Sequence, residues 1–534
     1  MGISVLFLAI AFSASFTLAQ TTAKPRFYPD DPLLAAPPPM PASKVKSRKL
    51  NDLYDYLLND FGKPGEHWQK ADAAIPARNV NTMGEVPEDE WYAWRHYFRP
   101  LTTAQLVNGP NVTGPPVKDG QWKVVAAKTE GVTPGFTILD TRGKRYIVKF
   151  DPKSFPDLAT APDVIGSKFF YALGYHVPEN YIISFHREDL VIGDDTLITD
   201  EKGRKRKMTK QDIGQLLLNV RQNDDGSYRA VASLFITGKP VGPHRYHGTR
   251  RDDPNDIIPH EHRRDLRGLR VFCAWLAHDD SRAINSLDML DQKSGVPYVK
   301  HYLIDFGSIL GSASNTPNSP RSGFVPFFDW NDAAKQFFTL GLYVPNWARA
   351  HYPNYAGAGR FEYDKFDPLT WTPEYFNPSF ANMLPADAFW AARQVMAFTD
   401  EQIRAIVKTG VYTDPRTEAW IAECLIKRRD KIGKAFINQV LPLDFLTVRD
   451  GQLTYVDVSA KYGLGDSGPF TVRWSEFDNQ SGATRDIANA AGMNVPGAAA
   501  AFLRASINGR DQKRTMQVYL RRQADGWQVV GIDR

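Results

Sequence analysis

The chain is predicted to be α+β, with a strand-rich segment, a long helical segment and a small β-rich tail in succession. Three observations carry that reading. Apolar residues follow a period of two between Trp122 and Phe150, recur at helical spacing from about Lys207 to Val440, and return to strand-like runs after Leu443. Runs of strands followed by runs of helices belong to α+β architecture. The 534 residues suffice for roughly three or four domains. With 43% hydrophobic and 23% charged residues, a packed globular chain is expected.

Charge excludes one class of partner. The chain holds 65 basic and 60 acidic residues, a net of +5. That balance gives no footprint for nucleic acid, and the basic run Lys202 to Lys210 reads as a solvated loop.

Taken in order, Met1 to Ala19 reads as a secretory signal: Ile3 to Ala19 is apolar and uncharged, and Thr17-Leu18-Ala19 offers small residues before Gln20. A secreted or periplasmic location is therefore expected, with no membrane span in the mature chain, because no second apolar run of that length follows. Lys24 to Pro41 is Pro-rich and reads as an extended tether. Ser47 to Phe61 is expected to be a helix with Leu50, Leu53, Tyr54, Leu57 and Leu58 on one face, and 62–120 an irregular wrap. Strands are expected at Trp122 to Ala127, Phe136 to Leu139 and Arg145 to Phe150, the last two joined by a hairpin loop at 140–144, with a Gly131 to Gly135 turn after the first. A helix follows, with Thr160 as its cap, Asp163 in its first turn, the stripe Val164, Ile165, Phe169, Ala172 and Leu173, and Gly174 closing it. Tyr181 to Phe185 and Leu190 to Ile192 are strands.

Beyond Lys207, Asp212 to Val220 and His260 to Ala277 read as helices. Leu287 to Leu290 and Tyr298 to Ile304 read as a strand pair, and Gly311 to Pro326 as a mobile loop. Ala386 to Met396, Asp400 to Thr409 and Glu418 to Val440 are further helices, the middle one opened by a Thr399/Gln402 capping box. Strand-like runs from Asp444 to Ile532 complete the chain. The boundaries that result are 1–19, 20–120, 121–195, 196–442 and 443–534.

Two short strings carry the chemistry. His278-Asp279-Asp280-Ser281-Arg282-Ala283-Ile284-Asn285 places Asp280 five residues before Asn285, so one loop can aim both at a single pocket. Ile304-Asp305-Phe306-Gly307 ends an apolar strand on a carboxylate. Phosphoryl transfer needs positioned phosphates, a divalent metal and a group that orients the attacking hydroxyl. Asp280 is the candidate for the last role, and Asn285 and Asp305 offer the oxygen ligands that a hard cation prefers. Lys149, at the end of Tyr146 to Phe150, is the candidate phosphate contact, with Asp163 as its ion-pair partner. Gly131 and Gly135 flank a turn whose amides could approach phosphates. Asp279 reads as a second acid or a structural cap, and His278 as a packed residue orienting the loop. A rival group, His244, His247, His260, Glu261 and His262, suggests a transition-metal hydrolase, although its spacing is not H-E-x-x-H. Cys273 and Cys424 lie in apolar helical patterns and read as buried thiols, with one disulfide as the alternative.

These motifs, over about Trp122 to Val440, resemble the protein-kinase-like superfamily, nearer its atypical lipid-kinase-like and antibiotic-kinase-like branches than ordinary eukaryotic kinases. The chain lacks G-x-G-x-x-G and A-P-E. The resemblance implies a two-lobed protein-kinase-like fold, here with an N-terminal wrap and a small C-terminal β-rich domain, and ATP in the cleft. It implies that Lys149 contacts the α/β phosphates, that Asp280 is the catalytic base, and that Asn285 and Asp305 hold Mg2+ or Mn2+. The expected activity is an exported, magnesium-dependent phosphotransferase whose acceptor is a protein, a glycan or a small molecule. The alternative is a pseudokinase scaffold in the cell envelope. The same ligands leave phosphoryl and nucleotidyl transfer both open.

Overall fold

The computed structural model describes residues 24–67, 73–127, 135–199, 204–293, 295–326, 334–335, 337–340, 342–510 and 512–534. The signal-like segment 1–19 and Gly131 lie outside them.

The first sheet grows from the period-two runs. Strands β1 (Trp122–Ala127), β2 (Gly135–Leu139) and β3 (Arg145–Lys149) form an antiparallel meander, and helix α3 (Thr160–Ala172) follows the two short N-terminal helices, α1 (Asp52–Leu57) and α2 (Thr103–Asn108). Then come β4 (Asn180–Phe185) and β5 (Leu190–Ile192), a two-stranded ribbon of β6 (Leu197–Thr199) and β7 (Lys205–Lys207), and α4 (Lys210–Leu218). The sheet closes with a strand not anticipated above, β8 (Tyr228–Leu234), inserted between β4 and β3, so the order is β4-β8-β3-β2-β1-β5. Its Ala-rich sequence, Tyr-Arg-Ala-Val-Ala-Ser-Leu, carries little β propensity, and neighbours on both sides supply the pairing. One core, holding Trp122, Phe136, Tyr146, Phe150 and Phe185, packs beneath this sheet against Ile213 and Leu217 of α4.

A second, larger core belongs to the helical part. Helix α5 (Arg264–Leu276) and the helices Pro385–Met396, Asp400–Lys408 and Pro415–Phe436 pack around Phe272, Trp275, Trp390 and Phe398. Ile165, Phe169 and Phe170 of α3 join this core rather than the first one. Helix α3 therefore lies between the sheet and the helices, where its first turn meets both. A three-stranded antiparallel sheet, β9 (Lys239–Gly242), β10 (Ser286–Lys293) and β11 (Val296–Leu303), flanks this half. Cys273 and Cys424 are both buried and free.

Three boundaries differ from expectation, each for a local reason. The 47–61 helix is only α1 followed by a π turn at Leu58–Gly62, because Asn51 caps it by accepting the Tyr54 amide and Lys63 ends it in the left-handed region. Leu53, Tyr54 and Leu57 of its apolar face are exposed. Thr160 does not cap α3: the Asp151 carboxylate accepts the amides of Ala159 and Thr160 at 2.8 Å each. His260 and His262 sit in a 3-10 turn outside α5, since extended Arg263 separates the two.

The tail comprises a hairpin of β12 (Leu443–Arg449) and β13 (Gln452–Asp457), and an antiparallel sheet of order β15-β14-β16-β17-β18. Its strands are β14 (Thr471–Phe477), β15 (Thr484–Ala491), β16 (Phe502–Asn508), β17 (Thr515–Gln523) and β18 (Gly526–Asp533). It is fastened to the helices by a buried ionic junction. Arg393 donates to Glu85 and to Asp444, and Tyr97 donates to Asp444 at 2.6 Å. Arg393→Met leaves Glu85 without this partner and Asp444 with Arg534 at 3.7 Å, so it is expected to cost about 3–5 kcal/mol in urea denaturation.

The Pro-rich 24–41 stretch is extended but packed, not a free tether. Phe27 inserts among Phe477, Phe502 and Tyr519, Ala36 donates its amide to Glu88, and Ala42 donates to Pro297. Further on, Arg48 passes so close to β9 that a Cβ on Gly242, whose φ is +102°, would lie 2.1 Å from the Arg48 carbonyl oxygen. Among the described residues, no helix is long and apolar enough to cross a membrane.

Candidate functional site

The site assembles where the sheet, α3 and the end of β11 meet. Lys149 ends β3, opposite Gly135 in the β2 register. Its Nζ lies 2.5 Å from Asp163 Oδ2 and 2.9 Å from Asp305 Oδ1. Burial alone would lower this ammonium; Asp163 first and Asp305 second outweigh it, holding Lys149 charged and above its ordinary value. Asp163 is itself buried, and its Oδ1 accepts from Asn180 Nδ2 and from the Phe306 amide, both at 3.1 Å. Those two bonds fix the carboxylate and orient it toward the lysine.

Asp305 is delivered by β11 and turned by its own backbone, with φ 62° and ψ 64°. Aspartate is one of the few residue types that tolerate this left-handed conformation. The turn sends Phe306 inward, where it stacks on Phe170 with centroids 4.9 Å apart. It also leaves the Asp305 side chain 48% exposed. Gly166 makes room, since a Cβ there would sit 2.6 Å from Phe306 Cβ. Asn285 precedes β10, and its carbonyl accepts the Ile304 amide at 3.1 Å, so it stands across the ladder from the residue before Asp305. Its Nδ2 donates to the Asp280 carbonyl at 2.6 Å, which turns its Oδ1 away from that bond. The donor set of a carboxylate and an amide oxygen fits a hard divalent cation.

The His278–Asn285 loop leaves α5 through Ala277, which is left-handed, with the His278 amide on Cys273 O at 2.8 Å. His278 is buried against Phe170 and Phe306, and burial pushes its imidazole down to about 4, so it is neutral. It packs and orients, as the sequence reading has it. Asp280 accepts from Arg282 Nε, and the same guanidinium reaches Asp52 of α1 at 2.9 Å and lies over the Tyr375 ring. The Asp279 carboxylate accepts from Asn318 and Ser322.

Lys149, Asp163 and Asp305 thus converge within hydrogen-bond distance, Gly135 is adjacent to Lys149 in the sheet, and Asp280 and Asn285 share one loop that is tied through the Asn285 carbonyl to Ile304, the residue before Asp305. Three contributors were not singled out from the sequence. Arg282 lies inside the loop string and its charge was the available signal. Asn180, which braces Asp163, and Glu374, whose amide donates to the Asp279 carbonyl at 3.2 Å, gave none.

The histidines separate into pairs. His260 Nε2 meets Asp256 at 2.9 Å, His262 meets Glu66 at 2.8 Å, and Glu261 accepts the Glu66 and Gly248 amides. Among the described residues, only His244 of this group joins a cluster, with Asp288 and His301. Asp288 there already pairs with Arg250 at 3.1 Å and Arg48 at 3.6 Å. A dication at that carboxylate would face two guanidinium charges, so the geometry suits an ionic network better than a metal.

No protein-family model matches the chain, and no curated protein does. Among solved structures it is similar to a Golgi casein kinase, at 7% identity and a TM-score of 0.28, over 63% of this chain and 77% of that one. It is also similar to the Golgi casein kinase with Mn/ADP bound, at 9% identity and a TM-score of 0.26, over 63% and 78%. Likeness of this degree carries no argument about the site, which rests on the geometry above.

Proposed function

We propose that the chain is an exported, kinase-like phosphotransferase that uses ATP with Mg2+ or Mn2+. The observation that supports this most is Lys149 held between Asp163 and Asp305, residues brought together from three separate stretches of sequence. A charged lysine beside a half-exposed carboxylate, with the Asn285 loop tied to the residue before it, would supply a phosphate contact and oxygen ligands for a metal in one place. In this reading Lys149 takes the phosphates, Asp305 and Asn285 take the cation, and Asp280 orients the acceptor hydroxyl. Gly135, beside Lys149, keeps the backbone close to the phosphates. The bound cation supplies charge neutralisation on the phosphates. The acceptor, whether protein, glycan or small molecule, lies on the Asp280 side.

Transfer of label from [γ-32P]ATP to the chain itself or to an added protein mixture tests it. Asp280→Ala is expected to lower transfer by about 10²–10⁴-fold while leaving ATP affinity within a factor of a few. Equal transfer by this variant and the parent contradicts the assignment.

One observation favours a second reading, a nucleotide-binding pseudokinase. Asp280 is engaged by Arg282, which is in turn bridged to Asp52. If that chain of charges is permanent, ATP binds with metal and no transfer follows, even in Asp52→Ala. Transfer that rises in Asp52→Ala supports the enzyme.

A further inference from the structure

The loop after Asp305 is fastened to the catalytic loop at one buried carboxyl group. Asp279 is 3% exposed. Ser322 Oγ donates to its Oδ2 at 2.5 Å, and Asn318 Nδ2 lies 3.1 and 3.2 Å from its two oxygens. Its carbonyl accepts the Glu374 amide, and the neighbouring Thr372 amide donates to Gly323 at 3.3 Å. Three segments that are distant in sequence, 278–285, 311–326 and 371–377, therefore meet at Asp279. The near end of the loop has other supports: the Asn318 and Arg360 amides both donate to Gly311. The far end is held by two contacts, the Ser322 hydroxyl on Asp279 and the Thr372 amide on Gly323.

We propose that Asp279 is a positioning residue, a latch that fastens the 311–326 loop across the acceptor side of the catalytic loop. That placement on the acceptor side rests on the phosphotransferase reading; the latch itself rests on the contacts. The groups facing this carboxyl are Asp280 on its own loop, Glu374 on 371–377, Cys273 on α5, and Ser322 and Asn318 on the latched loop. Burial pushes Asp279 up to about 7, with Glu374 and Asp280 adding to it and the bonds from Ser322 and Asn318 opposing it. Opening the loop wets the carboxyl and returns it toward its ordinary value near 4, so the closed loop binds the proton more tightly than the open one. The proton-linked part of the latch is therefore fully present below about pH 4, is lost as pH rises to about 7, and is gone at pH 8.

Hydrogen–deuterium exchange of peptides spanning 311–326 in the full chain, at pH 6 and pH 8 and corrected for intrinsic exchange, tests the latch without nucleotide. Loop opening is expected to increase about tenfold over that range in the parent. In Asp279→Asn, neutral at every pH, it should not change, and the loop should stay protected at pH 8. Ser322→Ala should raise exchange at pH 6. A parent whose loop exchanges equally at both values, or an Asp279→Asn variant that opens as the parent does, overturns the latch. ATP turnover is a separate arm: Asp279→Asn should flatten its pH profile between 6 and 8 with the KM for ATP unchanged. A latch that responds to pH in a chain that never transfers phosphate retires the phosphotransferase reading and leaves the latch standing.

Discussion

Lys149→Met is expected to destabilise the protein by about 3–5 kcal/mol and to abolish ATP binding, and a second substitution is expected to repair only the first defect. The lysine is 13% and Asp163 3% exposed at the side chain, so removing the ammonium leaves a carboxylate without its nearest counter-charge. Asp163→Asn, added to Lys149→Met, removes that charge. It keeps an oxygen for the Phe306 amide and Asn180, whose loss would itself cost about 1–3 kcal/mol per donor. Urea denaturation should therefore place the double variant within roughly 1–2 kcal/mol of the parent, while equilibrium binding still finds no ATP affinity. A double variant that stays as unstable as Lys149→Met contradicts the ion-pair account. One that binds ATP normally contradicts the role of Lys149.

The second large effect is the reverse in kind. Asp305→Asn should reduce metal-dependent turnover on the order of 10³-fold, the loss of a few kcal/mol of transition-state stabilisation. Stability should change by about 1 kcal/mol or less, because a half-exposed carboxylate contributes little to folding. Asparagine also tolerates the left-handed backbone that the position requires. The check is a pair of measurements on one preparation: turnover against metal concentration, and the urea midpoint. A strong loss of stability with turnover intact would make Asp305 a structural residue.

The sequence was most legible where local signals and chemistry coincide. The order of three strands, a helix and two strands from Trp122 to Ile192 can be read from period and turn residues, because each element carries its own apolar face. The Thr399/Gln402 capping box is likewise a local device, and both of its hydrogen bonds are present. Strand β8 was hidden because its place in the sheet depends on neighbours separated by up to about 90 residues, not on its own composition. The α3 cap was misassigned for a similar reason: Thr160 has the right chemistry, yet Asp151, nine residues earlier, reaches the same amides. Lys149, Asp163 and Asp305 could be nominated by spacing and residue type. Arg282 reaching across to Asp52, and Asp279 facing Ser322, are products of tertiary packing that no periodicity encodes.

The segment around the histidines shows the opposite. Five chemically capable residues crowd one stretch of sequence, and folding distributes four of them, His244, His260, Glu261 and His262, among Asp288, Asp256, Glu66 and backbone amides, while His247 Nε2 is buried without a hydrogen-bond partner among the described residues. Arg250 and Arg48 then supply positive charge beside the one carboxylate that two of the chain's histidines share. Proximity in sequence was the misleading signal, and charge in three dimensions decides against it.

The most direct measurement is a crystal structure grown with Mn2+ and a non-hydrolysable ATP analogue, with the anomalous signal of manganese recorded. The account predicts a peak in coordination contact with Asp305 and Asn285, and the analogue's phosphates against Lys149. A peak at His244, Asp288 and His301 instead, or a cleft without nucleotide at saturating analogue, would contradict it.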